Sequence, residues 1–63
     1  MKILSVKDAA AKAGLSIRQV YMEVAEGRFP RQIQLTSRRV GWVETEIEEW
    51  IAAKIAQRDR VAA

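Results

Sequence analysis

The sequence predicts one mainly α-helical domain over residues 1–63, with three helices and a small β-hairpin. Three segments repeat apolar residues at helical spacing, and one segment between the second and third alternates apolar with polar residues, as strands do. A chain this short forms a single small core. Its apolar runs are too short to cross a membrane and its N-terminus is unlike a secretory signal, so we expect a cytoplasmic protein.

The first two predicted helices, at about residues 6–13 and 17–26, meet at a tight turn. Gly14 is placed to end the first helix in a left-handed conformation. Ser16 and Gln19 then stand in the S-x-x-Q relation of a capping box, which predicts that the second helix begins almost immediately.

The second helix is predicted to be amphipathic. Its apolar positions fall within an arc of about 100° on a helical wheel and are expected to face the core: Ile17, Val20, Tyr21 and Val24. The proline that follows Phe29 forbids continuation of the helix.

A β-hairpin is predicted over about residues 32–42. Ile33 and Leu35 alternate with glutamines, which is typical of a half-buried strand. A second short strand ends at Trp42, and the polar stretch between the strands has the length of a hairpin loop.

The third helix is predicted over about residues 44–57. Its apolar residues recur at helical spacing: Ile47, Trp50, Ile51 and Ile55. Four glutamates crowd its first turns, where they suit the helix macrodipole and are expected to be solvated. The remaining tail has little to bury, so we expect it to fray.

Positive charge is concentrated in the first two thirds of the chain. Residues 1–42 hold eight basic and three acidic side chains, a net charge of +5, whereas residues 43–63 hold three and five, a net charge of −2. Two short helices joined by a tight turn and followed by a basic-tipped hairpin are the order of a winged helix-turn-helix. We therefore expect binding to double-stranded DNA.

Side chains at the start of the second helix are predicted to enter the major groove. Arginine can donate two hydrogen bonds to guanine, and glutamine can pair with adenine. A serine at the positive end of a helix can reach a phosphate. For the methionine, Met22, two roles are possible: it contacts a thymine methyl group, or it fills a gap at the edge of the core. The residues are Ser16, Arg18, Gln19 and Met22.

A second basic cluster lies at the hairpin tip and on its approach: Arg28, Arg31, Arg38 and Arg39. A cationic loop in this position can straddle the sugar-phosphate backbone or insert into the minor groove. The alternative is that these charges discourage strand pairing between molecules.

Composition excludes much catalytic chemistry. Without Cys or His, the chain has no thiolate or imidazole to bind a metal and no Ser/His/Asp or Cys/His constellation. We expect no enzymatic activity, no metal and no cofactor. Tyr21, Phe29, Trp42 and Trp50 are assigned to the core, and the sequence shows no base-stacking platform.

Five short motifs occur in an ordered set between Leu4 and Ile51. They are Gly14-Leu15-Ser16, Val20-Tyr21, Glu26-Gly27-Arg28-Phe29-Pro30, Arg39-Val40-Gly41-Trp42 and Glu46-Ile47-Glu48-Glu49-Trp50-Ile51. The set resembles the AlpA-type phage regulatory proteins, which are similar to excisionases and to the small winged-helix domains related to the MerR type.

This resemblance implies a prophage or genomic-island protein that binds DNA. Such a protein regulates transcription, often of an integrase gene, or assists an integrase as an excisionase. The recognition role would fall on the four second-helix residues named above, and the wing role on Arg38 and Arg39. The sequence departs from the common family pattern at Ile17, Gln19 and Met22.

Other partners also follow from the small size of the chain. A single module covers on the order of 600 to 1,000 Å² of DNA, so useful specificity requires copies on adjacent sites or a partner protein such as an integrase or RNA polymerase. A different class of function, a protein-binding adaptor on the same scaffold, predicts little dependence of binding on salt.

Overall fold

Three helices and a small antiparallel sheet make up the fold. The computed structural model describes residues 1–62, and side chains through Arg60. The elements are, in chain order, β1 (Ile3–Leu4), α1 (Val6–Ala13), α2 (Ile17–Ala25), β2 (Ile33–Gln34), β3 (Val40–Val43) and α3 (Glu44–Ala62). This architecture confirms the predicted winged helix-turn-helix, in which the hairpin of β2 and β3, with the turn between them, is the wing.

The turn between α1 and α2 has the predicted chemistry. Gly14 adopts a left-handed φ of 74° and ends α1. The Ser16 hydroxyl oxygen accepts a hydrogen bond from the backbone N–H of Gln19 at 3.1 Å. In return, the side-chain Oε1 of Gln19 accepts one from the backbone N–H of Ser16 at 2.9 Å. This reciprocal box satisfies two of the amides at the start of α2 that have no partner within the helix.

Two helix ends differ from the prediction. α2 ends at Ala25, and Gly27, at a φ of 75°, turns the chain away. α3 does not end near residue 57 but continues to Ala62, because the segment predicted to fray contains no Gly or Pro to end the helix. Ala63 lies outside the described residues.

The sheet is centred on β3, with strand order β1-β3-β2 and antiparallel pairing throughout. Leu4 lies opposite Trp42, and Ile33 lies opposite Gly41. The sequence did not predict β1, because two residues are too few to show an alternating pattern. A further hydrogen bond, from the Glu44 amide to the Lys2 carbonyl at 2.9 Å, extends this edge.

The segment with Ile33 and Leu35 was predicted to be a half-buried strand, and its apolar side chains are more exposed than that prediction implies. Their side chains are 39% and 47% exposed. Successive residues of a strand point to opposite faces, and on β3 the inward direction is taken by Trp42. Ile33, paired with Gly41, therefore lies on the outer face of the sheet. The alternating pattern correctly indicated a strand, but its apolar side chains form an exposed strip on the outer face of the sheet.

The core gathers seven buried residues from helices, strands and the loop between α2 and β2: Leu4, Ala9, Ala10, Val20, Phe29, Trp42 and Ile47. Trp42 is fully buried, and its indole Nε1 donates to the Pro30 carbonyl at 2.8 Å. Trp50 is half-buried and packs edge-to-face on Phe29, with ring centroids 4.9 Å apart.

Tyr21 and Ile17 are not core residues, contrary to the prediction. They are 42% and 45% exposed, whereas Val20 is fully buried. Both lie at one margin of the predicted apolar arc. α2 is short and its buried side is centred near Val20, so the margin of the arc is left in solvent.

An ion-pair cluster joins α1 to α3. Lys12 Nζ lies 3.5 Å from a Glu44 carboxylate oxygen and 3.2 Å from one of Glu48. Hydrogen bonding to Glu48 and the charge of both carboxylates raise the pKa of Lys12. Two of the four glutamates expected to be simply solvated therefore tie the helices together.

Among the described residues, no helix is both long and apolar enough to cross a membrane.

Replacing Gly41 with alanine tests how closely the strands pack. A Cβ atom at this position would lie 2.5 Å from Ile3 Cγ2 and 3.1 Å from Leu35 Cδ1. We expect Gly41→Ala to lower the free energy of unfolding by about 1 to 3 kcal/mol, measured by urea denaturation.

The double variant Gly41→Ala/Ile3→Ala supplies the control, because it removes the methyl group that the new Cβ meets. It should lose less stability than the sum of the two single variants. Simple additivity of the two losses would show that Ile3 and Gly41 do not pack as described.

Candidate nucleic-acid interface

The outward side of α2 is centred on two of the predicted recognition residues. Val20 is the fully buried position of the helix, and Val24 is half-buried. At about 100° per residue, Arg18 and Met22 lie roughly opposite these valines. Met22 is 53% exposed, and Arg18 is exposed with no ion-pair partner among the described side chains. Both are therefore open to a partner.

Ser16 and Gln19 are exposed but also serve the capping box. The Ser16 hydroxyl oxygen accepts a hydrogen bond from the Gln19 backbone N–H, and its hydroxyl proton remains available for donation. The side-chain Oε1 of Gln19 already accepts a hydrogen bond from the Ser16 backbone N–H. Its Nε2 group is therefore the part of the side-chain amide that remains free to donate. A two-bond contact to adenine needs both ends of the amide.

The wing ends in a turn that presents two arginines to solvent. The Leu35 and Thr36 amides both donate to the Arg39 carbonyl, at 2.9 and 3.2 Å, and the Thr36 hydroxyl accepts from the Arg38 amide at 3.2 Å. Both guanidinium groups are exposed and outside the ion pairs of the described residues. The turn therefore holds the backbone and leaves both charges free.

Arg31 and Arg28 precede the wing and differ in environment. Arg31 is exposed and makes no ion pair among the described side chains. Arg28 donates two hydrogen bonds to the Glu23 carboxylate, each of 3.0 Å. This pair lowers the pKa of Glu23 and raises the pKa of Arg28. The charge of Arg28 is thus compensated within the protein.

An aromatic contact joins α2 to β3, the middle strand of the sheet. The Tyr21 ring meets the Trp42 ring of β3 edge-on, with centroids 5.9 Å apart and an interplanar angle of 66°. The structure brings together Arg18 with Met22 on one side of α2, and Arg38 with Arg39 at one turn. Sequence reasoning missed Ile17 and Tyr21, which border the first pair. Their place at the margin of the apolar arc was the one available signal.

The Glu23 and Arg28 pair predicts a pH-dependent contribution to stability. Because the folded-state pKa of Glu23 lies below its ordinary value of 4.5, its contribution is complete above that value and disappears as the pH falls through the folded-state pKa. We expect Glu23→Gln to melt at a lower temperature than wild type at about pH 7, and at nearly the same temperature at about pH 2. Circular dichroism measures both.

Glu49→Gln is the matched control, since Glu49 is exposed and forms no ion pair among the described side chains. Its melting temperature should follow that of wild type at both pH values. A Glu23→Gln difference that persisted unchanged at acid pH would contradict the electrostatic origin.

Comparison with known proteins identifies relatives of this chain. The family model described as prophage CP4-57 regulatory protein (AlpA) matches residues 2–55. An uncharacterized protein, ORF88, of Enterobacteria phage P4 is 34% identical over 59 residues, which covers 94% of this chain and 67% of the phage protein. The chain therefore belongs to the AlpA family of prophage regulatory proteins.

Proposed function

We propose that this protein binds double-stranded DNA in a sequence-specific manner and regulates transcription of prophage or mobile-element genes in the cytoplasm. The observation that carries the proposal is the exposed guanidinium of Arg18, which forms no ion pair among the described side chains and lies on the outward side of α2, the second helix of a helix-turn-helix. Membership of a regulatory family supports the same function. The protein acts by binding, without catalysis or a cofactor.

In this proposal α2 enters the major groove. Arg18 donates two hydrogen bonds to a guanine, and the Ser16 hydroxyl donates to a phosphate beside the positive end of the helix. Gln19 contributes its Nε2 donor to a base edge, and Met22 packs against the bases.

The wing lies on the sugar-phosphate backbone or in the adjacent minor groove. Arg38 and Arg39 supply two uncompensated charges at its tip, and Arg31 supplies a third on its approach. Arg28 contributes least, because its charge is already neutralised by Glu23. These contacts position the protein and carry little sequence information.

A module of this size needs further copies or a partner protein to bind DNA with useful specificity. One domain of this kind covers on the order of 600 to 1,000 Å² of DNA. We propose that specificity in the cell comes from several copies on adjacent sites, or from a protein partner such as an integrase or RNA polymerase.

The proposal predicts a steep dependence of affinity on salt. Neutralised phosphates release counterions, so log Kd should rise linearly with log salt, with a slope of about 0.9 for each contact. Fluorescence anisotropy of a labelled duplex, titrated at several salt concentrations, measures it. A slope near zero would favour a protein-binding adaptor and contradict the proposal.

Two arginine substitutions should have different effects. Arg18→Ala should relax base preference at one position by about 1 to 3 kcal/mol, because its contact reads a base. Arg39→Ala should weaken all duplexes alike and reduce the salt slope by about one unit.

Selection from a random duplex pool, followed by anisotropy on the selected sites, separates these effects. Arg58→Ala is the matched control, since Arg58 is an exposed arginine on α3, far along the chain from both clusters, and pairs with Asp59. An Arg18→Ala variant that selects the wild-type consensus would refute the assignment of α2 as the recognition helix.

A further inference from the structure

The exposed side of α2 is apolar around its single arginine. Ile17 is 45% exposed, Tyr21 42% and Met22 53%. At about 100° per residue, these side chains and Arg18 share an arc of roughly 140°. Ala25, also exposed, lies within the same arc. The surface that faces a partner is therefore one guanidinium set among aliphatic and aromatic groups.

Hydrogen-bonding capacity on this arc is small. The guanidinium of Arg18 is its one charged donor, and the Tyr21 hydroxyl is its other polar group. Gln19 lies beyond the arc and commits its carbonyl oxygen to the helix cap. Such a surface can make one two-bond contact to a base edge, and most of its remaining contact area is apolar.

DNA offers one apolar group to such a surface. In the major groove the 5-methyl group of thymine is the hydrophobic feature of the base-pair edges, which otherwise present donors and acceptors. Burying that methyl against an aliphatic side chain is favourable. Covering the amino group of adenine or cytosine with the same side chain costs free energy, because the donor loses water and gains no partner.

Tyr21 is held in place for this contact. Its ring packs edge-on against Trp42, which is fully buried and fixed by its hydrogen bond to the Pro30 carbonyl. A side chain already ordered in the free protein loses less entropy when it binds. The exposed part of the Tyr21 ring is therefore preorganised for binding.

We propose, resting on the proposed function, that α2 recognises a guanine flanked by thymines. Arg18 binds the guanine, and Ile17, Tyr21 and Met22 pack against thymine methyl groups on the neighbouring base pairs, on either strand. The operator class is then set by methyl contacts as much as by hydrogen bonds.

Deoxyuridine substitution tests the proposal on the intact protein. A consensus duplex is first selected from a random pool with the wild-type chain. Each thymine is then replaced singly by deoxyuridine, which removes the methyl group and keeps base pairing. We expect thymines beside the guanine read by Arg18, and Kd to rise about fourfold for each buried methyl that is removed.

Two glutamine variants identify which side chain contacts which methyl group. Ile17→Gln and Met22→Gln should each become insensitive to deoxyuridine at one position while keeping the preference for guanine. Ile55→Gln is the matched control, because Ile55 is 46% exposed but lies on α3. It should retain the full wild-type difference between thymine and deoxyuridine.

The outcomes separate this inference from the proposed function. If the wild-type chain binds a selected duplex but no deoxyuridine changes Kd, or no thymine flanks the guanine, thymine reading is refuted and DNA binding stands. If the wild-type chain binds no duplex, both are refuted. Thermal melts verify that each variant is folded, and the deoxyuridine series on wild type decides the question even if one variant unfolds.

Discussion

The burial of Trp42 is the interaction on which the rest of this structure depends. Its side chain fills the centre of the core from the middle strand of the sheet, and its indole nitrogen donates to the Pro30 carbonyl. The same ring receives the edge of Tyr21 and lies opposite Leu4 in the sheet. α2, the segment that precedes β2, and β1 are therefore positioned against one side chain. A large aromatic group in a small core contributes much of the total stability.

This arrangement explains why so much apolar surface remains exposed. With Trp42 facing inward, every second residue across the sheet points outward, which leaves Ile33 in solvent. α2 is short and buries mainly Val20, so Ile17 and Tyr21 remain at its margin. In a domain of 63 residues the core cannot cover both sides of each element. The exposed apolar side of α2 is consequently available for contact with a partner.

Several polar side chains that resemble binding residues are occupied by the fold. Gln19 completes the helix cap, Arg28 neutralises Glu23, and Lys12 bridges two carboxylates of α3. Each is a hydrogen bond or ion pair within the protein that a binding partner would have to share or displace. Of the arginines in the two predicted clusters, Arg18, Arg31, Arg38 and Arg39 form no ion pair among the described side chains, which narrows the candidate interface.

Features that depend on residues close together in the chain could be predicted from the sequence. The S-x-x-Q box at Ser16, the left-handed Gly14 and the helical repeat through Ile47 depend on neighbours within a few residues, so the helices and the fold class were predictable. The two-residue β1, the outward direction of Ile33, the exposure of Tyr21 and the pairing of Arg28 with Glu23 were decided by the tertiary structure. β1 forms because the folded chain brings residues 3 and 4 beside β3. The exposure of Ile33 and Tyr21 depends on which side of each element packs on Trp42 and its neighbours, and the Arg28 pair depends on the turn that ends α2. Periodicity states that a side is apolar, but packing alone selects which side is buried.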